Sequence, residues 1–361
     1  MYKLVAIAAV LLILFTGCGK ITLTHSAVSV EASSAAQPSS TDSPEALSSQ
    51  PKSSQNLSFH AEYMRQTVSQ YGYIDSQGKL HWNPDFLDAV SDKNLQELLA
   101  ELKKIEEKNG AQSFVVTNPQ WKVCVMWKDG SATELEADFD PFSERSTNSW
   151  GKVTKTEHRA VAAIAAGGSV DVNAVVILEQ SGKLSWASGQ TFSDCTQGSI
   201  DPVSGYLAML TSSGKIAEYN CADFKSDGSL PVNEWNRLVQ ICYYGGRLLG
   251  LQADGTLFCA NSDAYQNNYG GSDGATLPAQ TDILRLFPGT PWFLAADGTL
   301  YNADSQQGKT QKLANQTGID QIFSAGDGWC ALKTDSTIVG LAGTEPDEWL
   351  AGLKNVMVVT K

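Results

Sequence analysis

Several features that would mark an enzyme or a metalloprotein are missing from this 361-residue sequence. It contains no HExxH, GxSxG or P-loop motif, so the usual signatures of a metalloprotease, a serine hydrolase or a nucleotide-binding protein are lacking. It has no CxxC pair, and its four histidines are scattered along the chain. We therefore expect no catalytic residue, no metal site and no cofactor.

Charged residues are also scarce, at 18% of the sequence, whereas apolar residues make up 42%. This balance predicts a folded chain with a sizeable core. The net charge of −13 comes entirely from residues 59–361, because three lysines and three acidic residues cancel in residues 1–58. An acidic body repels phosphate backbones, so we expect no binding of nucleic acid.

The longest apolar run, Leu4–Phe15, is too short to span a bilayer, which takes about 20 residues. It follows Lys3 and ends in Thr16-Gly17-Cys18, which is the layout of a signal peptide. The segment resembles a bacterial lipobox, although Phe15 stands where leucine is usual. The resemblance implies a signal over residues 1–17, a diacylated Cys18 and an outward-facing protein anchored to the cell membrane. An ordinary cleaved signal is the alternative.

Residues 18–58 are rich in Ser, Ala, Pro and Thr and lack apolar periodicity, which predicts a disordered spacer. Six further cysteines follow, and four of them fall in predicted strands, where cysteine acts as a small buried hydrophobe. Cys195 and Cys221 fall in predicted loops, and a disulfide between them is left open.

A repeat runs through residues 59–361, centred on a two-residue turn that usually ends in glycine. Its seven copies are spaced by 52, 52, 32, 41, 43 and 38 residues. Six copies have a turn glycine and the seventh has Asp335-Ser336, for which we predict the most strained or most altered turn. The six glycines are Gly78, Gly130, Gly182, Gly214, Gly255 and Gly298.

Apolar residues flank every turn at even offsets. Four places before the second turn residue stand Ile74, Met126, Leu178, Leu210, Leu251, Leu294 and Leu332, and two places after it stand Leu80, Ala132, Leu184, Ile216, Leu257, Leu300 and Ile338. Alternation on both sides of a tight turn predicts a β-hairpin with one buried face. An apolar strand precedes most hairpins, so each copy predicts one blade, and seven copies predict a seven-bladed β-propeller.

Three segments depart from the repeat. Ser91–Gly110 has leucines at helical spacing and predicts an amphipathic helix inserted between blades one and two. Residues 138–158 predict a long loop. The first hairpin, taken as Val68–Trp82, lacks a good preceding strand, and Lys354–Thr360 resembles the missing one. We therefore predict that the tail of the chain supplies the inner strand of the first blade and closes the ring.

The repeats resemble those of the regulator-of-chromosome-condensation family. The closest copies are "RLVQICYYGGRLLGLQADGTLFC" (237–259) and "DILRLFPGTPWFLAADGTLYN" (282–302). The resemblance implies a seven-bladed propeller over about 300 residues. In that family the eukaryotic founder acts on a small GTPase and binds chromatin, whereas exported members bind proteins. An acidic exported lipoprotein gives no reason to transfer the founder's activity.

Binding residues of a propeller are expected in loops. The most distinctive loop contains Tyr265, Asn267, Asn268 and Tyr269, whose rings and amides suit a sugar or a protein surface. Tyrosines packed back onto a blade are the alternative. The sequence thus predicts a non-catalytic, lipid-anchored module that binds a protein or a glycan. An enzyme acting on polysaccharide or peptidoglycan, or a structural factor of an envelope complex, is the alternative. The ligand, the functional face and the oligomeric state are not predicted.

Overall fold

The computed structural model describes residues 63–89, 96–117, 122–137, 153–169, 172–186, 190–201, 206–220, 235–261, 282–303, 311–314, 316–326 and 328–359. All of them belong to one compact unit, Pro51–Lys361. The predicted signal, Cys18 and the predicted spacer up to residue 58 lie outside the described residues and stay predictions. No helix in the described ranges has the length and apolar character needed to cross a bilayer.

The described chain is all-β apart from two helices and forms seven antiparallel sheets, numbered 1 to 7 along the sequence. Sheet 1 consists of β1 (Val68–Ser69), β2 (Gly72–Ile74) and β3 (Leu80–Trp82); sheet 2 of β4 (Ala111–Thr117), β5 (Lys122–Trp127), β6 (Ala132–Ala137) and β7 (Val153–His158); sheet 3 of β8 (Val161–Ser169), β9 (Val172–Glu179), β10 (Leu184–Trp186) and β11 (Thr191–Phe192); and sheet 4 of β12 (Cys195–Ile200), β13 (Tyr206–Thr211) and β14 (Ile216–Asn220). Sheet 5 consists of β15 (Leu238–Tyr244), β16 (Arg247–Gln252) and β17 (Leu257–Asn261); sheet 6 of β18 (Ile283–Leu286), β19 (Trp292–Ala295), β20 (Leu300–Asn302) and β21 (Gln311–Leu313); and sheet 7 of β22 (Ile319–Ala325), β23 (Gly328–Lys333) and β24 (Ile338–Leu341). Strands pair in chain order within every sheet, and such consecutive meanders are consistent with a β-propeller.

The two sets of apolar residues that flank the turns pair with each other across the hairpins. In every sheet the residue four places before the second turn residue pairs with the residue two places after it. The pairs are Ile74↔Leu80, Met126↔Ala132, Leu178↔Leu184, Leu210↔Ile216, Leu251↔Leu257, Leu294↔Leu300 and Leu332↔Ile338. Cross-strand apolar pairs on one face are what a half-buried hairpin needs.

The turn glycines lie between the second and third strands of their sheets. All six have positive φ, between +74° and +87°. In the seventh turn Ser336 adopts φ +66°, a conformation that a side chain disfavours. The turns also face the next sheet, since the carbonyl oxygen of Gly255 accepts a hydrogen bond from Ile283 N at 3.0 Å and that of Gly130 accepts one from Val161 N at 2.8 Å.

Two helices lie between sheets 1 and 2: α1 (Pro84–Ala89) and α2 (Gln96–Glu106). Helix α2 occupies the core of the predicted segment, with Leu98, Leu102 and Ile105 buried at helical spacing. The predicted caps Ser91 and Asp92 lie outside the described residues. Gly110 belongs to the connection into β4 and does not end the helix, and α1 was not predicted.

Part of the predicted long loop is a strand. Val153–His158 forms β7 and pairs with β6 through six residues, from Ala132↔His158 to Ala137↔Val153. The sequence VTKTEH gives no signal of burial, because β7 is an edge strand whose side chains are mostly exposed. Residues 138–152 lie outside the described part of the chain.

The C-terminal segment around Val356, called the tail here, meets the N-terminal segment around Val68, called the head, in sheet 1. The tail does not form the predicted strand. In sheets 2 to 7 the first residue of the first strand pairs with the residue three places before the second turn residue. A β-bulge then follows in the first strand. In sheet 1 this first place is taken by Val356, which bridges Asp75. After the bulge position, the ladder continues with Val68 and Ser69 of the head, opposite Tyr73 and Gly72. The prediction that Lys354–Thr360 forms the whole inner strand is wrong, because the head already fills those places.

Hydrogen bonds hold the tail on both neighbouring sheets. Ser76 N donates to Asn355 O at 2.7 Å, and Met357 N donates to Ile74 O at 2.8 Å. On the other side, Ser336 Oγ donates to Val356 O at 2.8 Å. The Val356 side chain is 1% exposed and packs among apolar residues of sheets 1 and 7. The first strand of sheet 1 is therefore shared between the two ends of the described chain.

Candidate functional site

The two ends of the sheets carry different connections. The turn side holds the turns between second and third strands. The opposite end, called the mouth side here, holds the connections between first and second strands, such as Gln70-Tyr71 and Gly245-Gly246. Because the third strands run away from the turn side, the segments that follow Ala137 and Asn261 also begin on the mouth side. Long connections of the chain thus start at one end of the sheets.

First strands of neighbouring sheets are joined by buried polar side chains. The Gln197 amide accepts a hydrogen bond from Ile241 N and donates one to Ile241 O, both at 3.0 Å. Gln240 accepts one from Leu286 N at 2.9 Å, and Gln321 accepts one from Thr67 N at 2.8 Å. Each glutamine stands directly after the bulge of its strand. These hydrogen bonds pair buried polar groups at the bulges. They link sheet 4 to sheet 5, sheet 5 to sheet 6, and sheet 7 to the N-terminal segment at Thr67.

An inner cavity of about 60 Å³ lies among the first strands of five sheets. Tyr63 and Arg285 line it together with Asp320. Tyr63 is buried, and its hydroxyl donates to Ile241 O at 3.3 Å. Burial raises the pKa of Tyr63 well above its usual value and lowers the pKa of Arg285, an effect that the nearby Asp320 carboxylate opposes. This volume of about 60 Å³ has room for only a few waters.

A second cavity of about 170 Å³ lies on the mouth side and is called the mouth cavity here. Its wall includes the Gln70-Tyr71 connection of sheet 1, Thr290 of sheet 6, and Ser324 and Trp329 of sheet 7. None of its thirteen lining residues carries a charge. It shares lining residues with the inner cavity, so the two volumes are adjacent.

Two aromatic residues that line the mouth cavity, Tyr71 and Trp329, each pack against a ring outside its lining. The rings of Tyr244 and Trp329 meet edge to face, with centroids 5.6 Å apart, and the Tyr71 ring packs against Phe86 of α1 at 5.2 Å. The Asp201 carboxylate holds the turn that follows Tyr244, accepting hydrogen bonds from Gly245 N at 2.8 Å and Gly246 N at 2.7 Å. Such fixed rings beside a cavity offer flat apolar surface for a ligand.

The predicted binding residues Tyr265, Asn267, Asn268 and Tyr269 lie outside the described residues. The segment that contains them begins after Asn261, which pairs with Arg247 at the mouth side of sheet 5. The structure therefore describes the point from which this segment leaves, on the same side as the mouth cavity.

Cys124, Cys195, Cys242 and Cys330 are free thiols. Cys195 is the first residue of β12, not a loop residue as predicted, and it forms no disulfide; Cys221 lies outside the described residues. Burial raises the pKa of Cys242 to about 12 and that of Cys195 to about 11, so both thiols are protonated at neutral pH. In the described ranges no cluster of three His, Cys, Asp or Glu side chains is arranged to hold a metal ion.

Comparisons with known proteins give structural matches only. No protein-family model matches the chain. No curated protein matches its sequence. Yeast RCC1 (Prp20) in its complex with Kap60 is 12% identical with a TM-score of 0.48, over 90% of this chain and 91% of that one. Prp20p from Saccharomyces cerevisiae, whose structure was described with its binding to Gsp1p and histones, gives the same identity and score over 84% and 89%. BamB from Moraxella catarrhalis is 15% identical with a TM-score of 0.33, over 60% and 65%.

Proposed function

We propose that this chain is a seven-bladed, closed β-propeller that acts as a non-catalytic binding module on the outer face of a cell membrane. Seven consecutive meanders and the strand shared between head and tail support the closed ring. Closure leaves no wide unpaired edge, which stabilises the blades as a scaffold. The lipobox-like end at Cys18 and the spacer up to residue 58 support a tether that holds the propeller away from the bilayer.

The ligand, a protein or a glycan, binds on the mouth side. The observation that carries this assignment is the convergence at one end of the first-to-second-strand connections, the starts of the long outer segments and the mouth cavity. The turn side offers tight two-residue turns, whose φ values and contacts with the next sheet commit them to structure. Binding surfaces form where connections are free to vary.

Site-specific photo-crosslinking in cells tests this assignment. A photoreactive amino acid replaces Ser324 on the mouth side or, as a matched control, Ala253 on the turn side; both residues are exposed. We expect crosslinked adducts from position 324 and few or none from position 253. Equal adducts from both positions, or adducts from position 253 alone, would contradict the assignment.

The tether is tested separately with Cys18→Ser. In a bacterium that processes lipoproteins, we expect the natural chain to incorporate a labelled fatty acid and to sediment with membranes. The Cys18→Ser chain should lose both the label and the sedimentation. Label retained by the variant would show that Cys18 is not the acylated residue.

A further inference from the structure

We infer that the mouth cavity binds one neutral sugar ring, such as the terminal residue of an uncharged glycan. This inference deepens the proposed function and rests on it, since it names the ligand class for the mouth side. It is independent of residues 262–281 and uses only described side chains.

Three residues at the cavity have polar side-chain groups that are available for hydrogen bonds to a ligand. Gln70, Ser324 and Trp329 line it, and the Gln70 side-chain amide, the Ser324 hydroxyl and the Trp329 indole N–H make no hydrogen bond within the described part of the chain. Together they offer both donors and acceptors. Groups at one cavity that can both give and accept hydrogen bonds match a ligand carrying several hydroxyls.

The charge of the cavity narrows the ligand class. The protein has a net charge of −13, yet no lining residue is an acid or a base. A charged ligand would lose its hydration in this cavity without gaining an ionic partner, which is unfavourable. A neutral ligand avoids that cost. The same argument disfavours acidic sugars and charged side chains of a protein partner.

The aromatic wall and the volume set the shape of the ligand. Trp329 and Tyr71, both half-buried, line the cavity and provide flat apolar surface that can cover the C–H groups of a sugar ring while its hydroxyls reach the polar groups. A cavity on the order of 150 Å³ holds one six-membered ring. The mouth cavity, at about 170 Å³, therefore accepts one ring and leaves further sugars of a chain outside.

The test measures binding of defined saccharides to the full chain, purified in a detergent without a sugar headgroup. The probes are immobilised neutral and acidic oligosaccharides, followed by calorimetric titration with the methyl glycosides of glucose, galactose and N-acetylglucosamine. We expect at least one neutral probe to bind and acidic analogues to bind at least tenfold more weakly. Failure of every neutral probe, or equal binding of acidic analogues, would overturn the inference.

Variants locate the binding. Trp329→Leu should abolish binding, and Gln70→Ala and Ser324→Ala should each weaken it about tenfold. The Leu284 side chain is exposed at the turn-side end of β18, so Leu284→Ala should leave saccharide binding unchanged. Because Trp329 also contacts Tyr244, its variant is first checked for an unchanged unfolding temperature, and the exposed Ser324 provides an independent variant. Wild-type binding by Ser324→Ala and Gln70→Ala would overturn the inference.

Failure of this inference is distinguishable from failure of the proposed function. A protein adduct from position 324, with no saccharide binding, would refute the sugar site and leave the mouth side as a protein-binding surface. Saccharide binding that depends on Trp329 supports the inference.

Discussion

Replacement of the turn glycine Gly255 by alanine should destabilise the propeller by about 2 kcal/mol. Its φ of +87° costs a residue with a Cβ roughly 1–2 kcal/mol. The new Cβ would also approach Cα and N of Asp282 to 3.1 Å, and these are backbone atoms that cannot rotate away. Lost flexibility of the unfolded chain offsets about 0.4–1 kcal/mol of this.

Gly343 provides the matched control for the contact. It has almost the same φ, +90°, but a Cβ there would meet nothing within 4 Å. Gly343→Ala should therefore cost only the conformational part, about 1 kcal/mol. Urea unfolding followed by tryptophan fluorescence measures both variants. Equal losses for the two variants, or no loss for Gly255→Ala, would refute the reasoning that the turns are fitted against the next sheet.

Three further predictions concern the buried contacts that link the sheets. Val356→Ala should cost about 2 kcal/mol in urea unfolding because two buried methyl groups are lost, whereas the half-buried Val358→Ala should cost less than half as much; equal costs would argue against a buried tail. Gln197→Ala should cost roughly 1–3 kcal/mol because it leaves the Ile241 N–H without a partner and removes one of the two hydrogen bonds to the Ile241 carbonyl oxygen, which keeps the bond from the Tyr63 hydroxyl; a loss below 0.5 kcal/mol would contradict this. Asp75 is buried, which raises its pKa, but hydrogen bonds from His81 and from two backbone N–H groups lower it more, so its net pKa is lowered. The Asp75 carboxylate therefore stabilises the fold fully at pH values above its unfolded pKa of 3.8, and this stabilisation is lost as pH falls through the lower folded pKa. Asp75→Asn should make the free energy of unfolding less dependent on pH in the acid range, which urea unfolding at several pH values measures.

The hairpins could be predicted from the sequence because their signals are local. A tight turn and apolar residues at fixed even offsets lie within a few residues, and the pairing of Leu251 with Leu257 follows from the turn alone. The strained seventh turn was also visible, since serine replaced glycine at the position where Ser336 adopts positive φ.

Contacts between distant segments could not be predicted in the same way. Gln197 and Gln240 each look like a lone polar residue in an apolar strand, and their role depends on a bulge that puts the amide against the next sheet. A signal could have been found by aligning the repeats on the first strand, where polar residues recur at one position. The shared strand of sheet 1 was missed because Val68 and Ser69 make too short a run to be recognised.

The mouth cavity had no sequence signal either. Gln70, Thr290 and Trp329 are far apart in the chain and come together only when sheets 1, 6 and 7 are neighbours. The predicted binding loop around Tyr265 stays a prediction, and the segment that contains it begins after Asn261 on the mouth side of sheet 5.

A cysteine pair at Asp75 and Val356 tests the closed ring most directly. These residues face each other as a bridge flanked by two hydrogen bonds, an arrangement in which the Cα atoms lie about 4.5 Å apart and a disulfide can form. After mild oxidation of Asp75→Cys/Val356→Cys, peptide mapping should find the two positions joined, whereas Asp75→Cys/Val358→Cys should remain reduced. Free thiols at positions 75 and 356, or equal crosslinking of both pairs, would contradict a propeller closed between tail and head.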